Sequence, residues 1–135
     1  MVRMVALVIF LSVLFSCKTS PQHTPELKES MARGAVVYED FCMNCHMPNG
    51  EGVPKAFPPL AKADYLMNKR LESIKAVKYG LSGEITVNGV VYNSTMAALG
   101  LSDSEVADVM NFVLNSWGND DGKIVTAAEV SKIEP

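Results

Sequence analysis

Residues 41–50 read FCMNCHMPNG, and they place Cys42, Cys45 and His46 within five positions. Two thiols three residues apart with an imidazole immediately behind them suit three chemistries: a zinc site, a redox dithiol, or a covalently attached haem. Structural zinc takes four ligands, usually two pairs of Cys or His. This stretch offers three, two of them adjacent, and the remaining histidine, His23, lies in a polar segment to which no role is assigned. A thioredoxin-like dithiol belongs in a βαβ context, whereas the sequence around it is mostly helical in pattern. Cys-x-x-Cys-His is the attachment signature of c-type haem. Each thiol adds to a vinyl group, one helical turn matches the spacing of the two vinyls, and His46 then stands under the iron as proximal ligand.

The N-terminus agrees with that chemistry, which takes place outside the cytoplasm. One basic residue, Arg3, precedes an apolar run from Met4 to Phe15, too short for a comfortable span and suited to a signal-peptide core. The run ends in LFSC, which resembles the lipobox of bacterial lipoproteins: Leu14 and Ser16 fit, and Phe15 is bulkier than usual. Residues 1–16 are therefore expected to be cleaved and Cys17 lipidated, with an ordinary cleaved signal as the alternative. Acyl chains at about 0.8 kcal/mol per buried methylene would hold the protein on a membrane without a spanning helix. Residues 17–30 read as a flexible tether, rich in Pro, Ser, Thr and charge.

The chain of 135 residues has room for one domain. Without residues 1–16, 11 basic residues face 15 acidic ones, a net charge of −4. Such a balance argues against a nucleic-acid partner. With Cys17 lipidated, only Cys42 and Cys45 remain, and a structural disulfide framework is excluded.

Around the cysteines, Ser30 is a plausible N-cap for a helix carrying Ala32, Ala35, Val36 and Phe41 at helical spacing. Gly34 inside that helix costs about 1 kcal/mol against alanine and points to close approach of a second helix. The partner is LSDSEVADVMNFVLNSWG. Ser102 and Glu105 form a capping box, Val106, Val109, Met110, Val113 and Trp117 share one stripe, and Gly118 is placed to end the helix. Residues 47–60 hold four prolines and a shaped loop whose end, Phe57-Pro58-Pro59-Leu60, suits an apolar haem face. Short helices are expected near 63–67 and 69–79. Leu71, Ile74 and Val77 form the inner stripe of the second, Lys69, Arg70, Lys75 and Lys78 its solvated basic face, and Gly80 stops it. Asn88-Gly89 between alternating residues is a hairpin signal, and a hairpin this small must lean on the domain.

A sixth iron ligand completes the reading. Met31, Met43 and Met47 stand too near the cysteines in sequence to reach the opposite face. Met67 sits on a predicted helix, and Met110 on the apolar stripe reads as core. Met96, on a loop between hairpin and last helix, is the candidate. His46 and Met96 should face each other across a flat apolar slot lined by Phe57, Pro59, Leu60 and Leu66.

Over residues 31–118 the chain resembles a class I cytochrome c. Gly34 and Tyr38, the Cys42-to-His46 motif, the Pro-rich loop, a lone ligand methionine and the Phe112-to-Trp117 helix end carry the resemblance. GEGVPKAFPPLA and VNGVVYNSTMAALGLSDSEVADVMNFVLNSWGN look like small bacterial cytochrome c domains found alone or fused to copper nitrite reductases, although Ala97 stands where many relatives have proline. The resemblance implies an all-α fold of four to five helices around one haem c, with a two-stranded hairpin before the axial Met. It also implies a proline carbonyl, from Pro59 or in reserve Pro58, hydrogen-bonded to His46, and residues 119–135 forming a tail whose short helix is capped at Thr126. The implied role is single-electron transfer with redox protein partners in the cell envelope, with both axial positions filled. The rivals are a subunit of a larger oxidoreductase, or a peroxidase or sensor in which Met96 leaves the iron open; no spare histidine is available for the latter.

Overall fold

In the computed structural model, which describes residues 23–135, the longest helix begins at Pro25, five residues before the expected cap Ser30. α1 spans Pro25–Phe41, with Pro at the first turn and the Thr24 hydroxyl accepting a hydrogen bond from Leu27 N at 3.2 Å. The expectation of a flexible tether reaching residue 30 is therefore corrected: from Pro25 the chain is helix. Proline lacks only a donor that the first turn leaves unpaired anyway, and threonine supplies the cap. Ser30 is not a cap. It is buried in the helix, donating to Asp108 at 2.6 Å and accepting from Asn111 at 2.8 Å. The signal segment 1–16 and Cys17 lie outside the described residues.

The inner face of α1 is Leu27, Ser30, Gly34 and Tyr38. The sequence-based stripe was rotated from this: Ala32, Val36 and Phe41 are exposed, Val36 at 59%. Gly34 explains the rotation. A Cβ there would fall 2.0 Å from the Asp108 carbonyl oxygen, so α1 crosses the last long helix backbone to backbone, and the residues in line with Gly34 face inward.

That partner, α5 (Asp103–Leu114), has the expected capping box: Ser102 and Glu105 satisfy each other's backbone N–H groups. Its buried stripe includes Val106, Val109, Met110 and Val113. The helix stops at Leu114, earlier than expected. Trp117 follows at φ 53 and Gly118 at φ 91, which turns the indole back onto Tyr38 and Phe112, at ring-centroid distances of 4.9 and 5.2 Å.

Four smaller helices and a hairpin complete the described architecture. α2 (Met43–His46) is a single turn after α1; α3 (Asp64–Asn68) and α4 (Arg70–Tyr79) follow the Pro-rich loop; α6 (Ala127–Ser131) closes the tail. β1 (Ile85–Val87) and β2 (Val90–Tyr92) pair antiparallel around Asn88-Gly89, both at positive φ, as a two-residue hairpin demands. The hairpin leans on α3: Asp64 N donates to Asn88 Oδ1 at 2.9 Å, and Asn88 N returns to Asp64 Oδ1 at 2.7 Å. On α4, Ile74 is fully buried and Val77 half-buried, but Leu71 is 61% exposed and is not part of the inner stripe.

The basic side of α4 is not simply solvated, which corrects that expectation too. Arg70 donates to Asp121 and to Glu129 on α6, while Lys78 donates to the Val130 carbonyl at 2.9 Å and lies 3.1 Å from Asp103. These groups clamp the tail to the domain. α6 itself is capped by Thr126, whose hydroxyl accepts from Glu129 N, and packs on α5 through buried Val130.

Candidate functional site

The cysteine motif straddles the junction of α1 and α2. Cys42 ends one helix and caps the next, its N–H bonded to Tyr38 O at 2.9 Å and its carbonyl accepting His46 N at 2.9 Å. That single turn leaves Cys42 buried and Cys45 exposed. Burial, and then proximity to Cys45, pushes the Cys42 thiol up to about 11.

His46 is oriented from behind. Its Nδ1 lies 2.9 Å from the Pro58 carbonyl, which fixes the tautomer with Nδ1 donating and leaves Nε2 free as a ligand. The carbonyl is that of Pro58, not the expected Pro59; Pro59 instead lines the slot. Burial lowers the His46 pKa, opposed by the Pro58 bond, so the ring is held neutral, the form a metal requires.

The Pro-rich loop is built to deliver that carbonyl. Gly52, at φ 65, passes so close beneath that a Cβ would meet Phe57 O at 2.5 Å and Pro58 O at 2.6 Å. Gly52 N bonds His46 O at 3.0 Å, Leu60 N bonds Gly50 O at 2.7 Å, and Val53 pairs with Phe57. Asn119 ties the end of the loop to α5: its amide donates to Leu60 O and Val113 O and accepts from Lys62 N, all at 2.7–2.8 Å.

Across the slot, Met96 is held by backbone. Leu81 and Met96 exchange two N–H···O bonds of 2.8 Å. Gly80, at φ 84, lets the Met96 carbonyl approach where a Cβ would stand 2.6 Å from it. The Ser94 hydroxyl donates to the Ala56 carbonyl, joining the Met96 strand to the His46 loop.

His46 and Met96 border the same space. An inner cavity is lined by both, together with Cys42, Pro59, Leu60, Leu66 and Met110; an outer one adds Phe41, Cys45, Phe57, Ala97 and Leu99 while sharing His46 and Met96. Of the expected lining residues, Pro59, Leu60 and Leu66 face the inner space and Phe57 the outer. Met67 lines neither, and Met110, 1% exposed, is core that also borders the slot. The lining is that of a small-molecule site, mostly apolar with a few placed polar groups. The donors fit a haem: two thiols on one turn, a neutral imidazole and a thioether, all bordering the same apolar space. Among the described residues no cluster of three or more His, Cys, Asp or Glu could hold a bare metal ion.

One feature of the site escaped the sequence reading. Asn111 and Asn115, one turn apart on α5, are buried and tie down the tail. Asn111 bonds both backbone groups of Val125 at 2.7–2.8 Å, and Asn115 accepts from Gly122 N at 3.0 Å. Two asparagines at helical spacing within an apolar stripe were the available signal.

The fold and this slot define a haem-binding electron-transfer domain, and the family model for cytochrome c matches residues 31–117. The chain belongs to the cytochrome c family, whose members carry one covalently attached haem c with His/Met ligation. It is 41% identical over 115 residues to cytochrome c-552 of Thermus thermophilus, covering 77% of this chain and 76% of that one. It is also similar to the cytochrome c subunit of the quinone alcohol dehydrogenase of Gluconobacter oxydans, 34% identical over 74% of this chain and 21% of that subunit. The cytochrome c subunit of gluconate 2-dehydrogenase from Pantoea cypripedii is 34% identical, over 74% of this chain and 23% of that subunit. The chain is thus a monohaem electron-transfer protein, a carrier or a subunit of an oxidoreductase, and not itself an enzyme.

Proposed function

We propose that this chain is an exported, lipid-anchored electron carrier. Its haem is bound through thioethers at Cys42 and Cys45, its iron is ligated by His46 and Met96, and its membrane anchor is at Cys17. The observation that carries the reading is that His46 and Met96 both line one apolar slot next to Cys42 and Cys45. When bound, haem iron exchanges a single electron without changing its ligands. What the chain contributes is constraint. Pro58 holds the His46 ring in one tautomer and one orientation, the Leu81–Met96 pairing fixes the thioether's backbone, and a thioether ligand favours the ferrous state. With both sides of the slot filled by protein donors, no position is left for substrate. The apolar rim formed by Phe41, Phe57, Ala97 and Leu99 excludes water while leaving one edge open to a partner.

Among the described residues no helix is long and apolar enough to cross a membrane; the proposed lipid attachment is read from LFSC at 14–17. Mass spectrometry of the mature N-terminus tests it: a diacylglyceryl-modified Cys17 is expected, and an unmodified terminus at any other residue would leave a freely diffusing exported cytochrome. Acid–organic extraction tests the linkage, since thioethers at Cys42 and Cys45 should keep the haem on the protein. The dehydrogenase subunits among its relatives favour a second reading, a subunit bound to a larger oxidoreductase; co-purification from native membranes separates it from the free carrier.

A further inference from the structure

Ser73 lies on the buried side of α4, 7% exposed, and its hydroxyl has no hydrogen-bond partner among the described residues. A helical serine commonly returns its hydroxyl to a carbonyl one turn back; this one does not. A buried hydroxyl left unpaired is destabilising, and each such group in a native fold wants an explanation. Ser73 borders the inner slot, whose lining also includes the apolar Ala63, Leu66, Ala76 and Val77 and one other hydroxyl-bearing residue, Tyr65.

We infer that the Ser73 hydroxyl donates a hydrogen bond to a propionate carboxylate of the haem, so that the α3–α4 end of the slot seats the propionate edge. The inference rests on the haem c reading above. A haem c attached through both vinyl groups brings two hydrogen-bonding groups at its periphery, the propionates, and the thioether edge is already assigned to Cys42 and Cys45. The sulfur of Met96, a residue that borders the same space, is a poorer acceptor. Its backbone pairs with Leu81 beyond the end of α4, and Ser73 lies seven residues before Gly80, about 10 Å back along the helix axis.

The surroundings suit an anion. Lys69, whose carbonyl accepts Ser73 N at 2.9 Å, places its ammonium 4.8 Å from the centroid of the Tyr65 ring, and this cation offsets the Glu72 carboxylate that also acts on Tyr65. Burial, then the charge of Glu72, raises the Tyr65 pKa, which keeps that phenol protonated and able to donate. Charge-assisted bonds of this kind are among the stronger ones available to a hydroxyl, and they allow a carboxylate to remain ionised where desolvation would protonate it.

The test uses the mature holoprotein with carbon-13 in the haem propionates. Their carboxyl resonances are titrated in the native chain and in the Ser73→Ala and Ser73→Thr variants, with covalent haem content measured alongside. Loss of the donor should raise one propionate pKa by about one pH unit, leave the other unmoved, and be reversed in Ser73→Thr. Unchanged titration in Ser73→Ala, or a shift that Ser73→Thr fails to reverse, overturns the inference. Should Ser73→Ala not mature, proton NMR of the native holoprotein decides: a slowly exchanging Ser73 hydroxyl proton close to a propionate methylene supports it. The same proton close to the Met96 methyl, or absent, overturns it. Haem that extracts freely from native protein would instead refute the haem c reading itself.

Discussion

The two walls of the slot are built differently. The His46 wall stands on the α1–α5 pair, where Gly34 lets backbones touch and Tyr38, Phe112 and Trp117 stack with centroids 4.9–5.4 Å apart. Tyr38 also donates its hydroxyl to the Met47 carbonyl at 2.7 Å, so the packed cluster reaches into the loop behind His46. The Met96 wall is hairpin and coil from Leu81 to Leu99. A few discrete ties hold it: Leu81 to Met96, Ser94 to Ala56, and Asp64 to Asn88. The first wall can form from its own packing, whereas the second depends on what fills the slot. If His46 and Met96 ligate the iron as proposed, the histidine side is set by helix packing and the methionine side by a few backbone ties.

The largest effect should come from removing the group that joins the walls. Cys42→Ser with Cys45→Ser is expected to leave a largely unfolded chain, because a domain this small has too little other core. Hydrogen exchange then sharpens the comparison. Any residual protection should lie in α1 and α5, and stronger protection at 85–99 would break the asymmetry.

Next comes Gly34→Ala. With the Asp108 carbonyl 2.0 Å from the new Cβ, the helices must part, at a cost of about 3 kcal/mol or more. Thermal unfolding of the holoprotein measures it; a variant as stable as the parent would show that the crossing is not what supports the His46 wall.

Arg70→Ala addresses the clamp on the tail. Arg70, 22% exposed, bonds Asp121 and Glu129 and reaches the Lys123 and Ile124 carbonyls. Its loss should cost about 2 kcal/mol and speed exchange over 121–130, with little change in the haem spectrum. A large spectral change would mean that the tail bears on the slot directly.

The smallest expected effect is at the start of α5. Hydrogen bonds from the Ser102 side chain and then its backbone N–H hold the Glu105 carboxyl below its ordinary value of 4.5. A depressed carboxyl adds stability above its unfolded pKa and loses it as pH falls through the lower folded value. The melting temperature of Glu105→Gln should therefore lie below the parent's at neutral pH, and the gap should close in acid below the glutamate range. A gap that is constant with pH would point to packing in place of the charge.

Much of this was legible in the sequence, for reasons that differ by element. The capping box at Ser102, the turn at Asn88-Gly89 and the buried run from Val106 to Val113 depend on local spacing, which a sequence displays. Gly34 was legible because a glycine in mid-helix needs a reason. The start of α1 was misread because Pro, Thr and charge marked 18–30 as a linker, although Thr24-Pro25 is also a helix start. Pro58 and Pro59 differ by one residue and by which carbonyl turns toward His46, a matter of backbone dihedrals that composition does not report. The outward turn of Leu71 and the clamp by Arg70 are tertiary facts, fixed by where the tail comes to lie.

The central claim, that His46 and Met96 hold the iron from opposite walls, is most directly tested by the sulfur-to-iron charge-transfer band of the oxidised holoprotein. Three variants should be compared: Met96→Ala, Met67→Leu and Met110→Leu. Because Met110 also borders the slot, it is the demanding control. The band should vanish in Met96→Ala, together with new binding of exogenous ligands and a lower potential, and persist in the other two. Its survival in Met96→Ala, or its loss in Met67→Leu or Met110→Leu, would contradict the account.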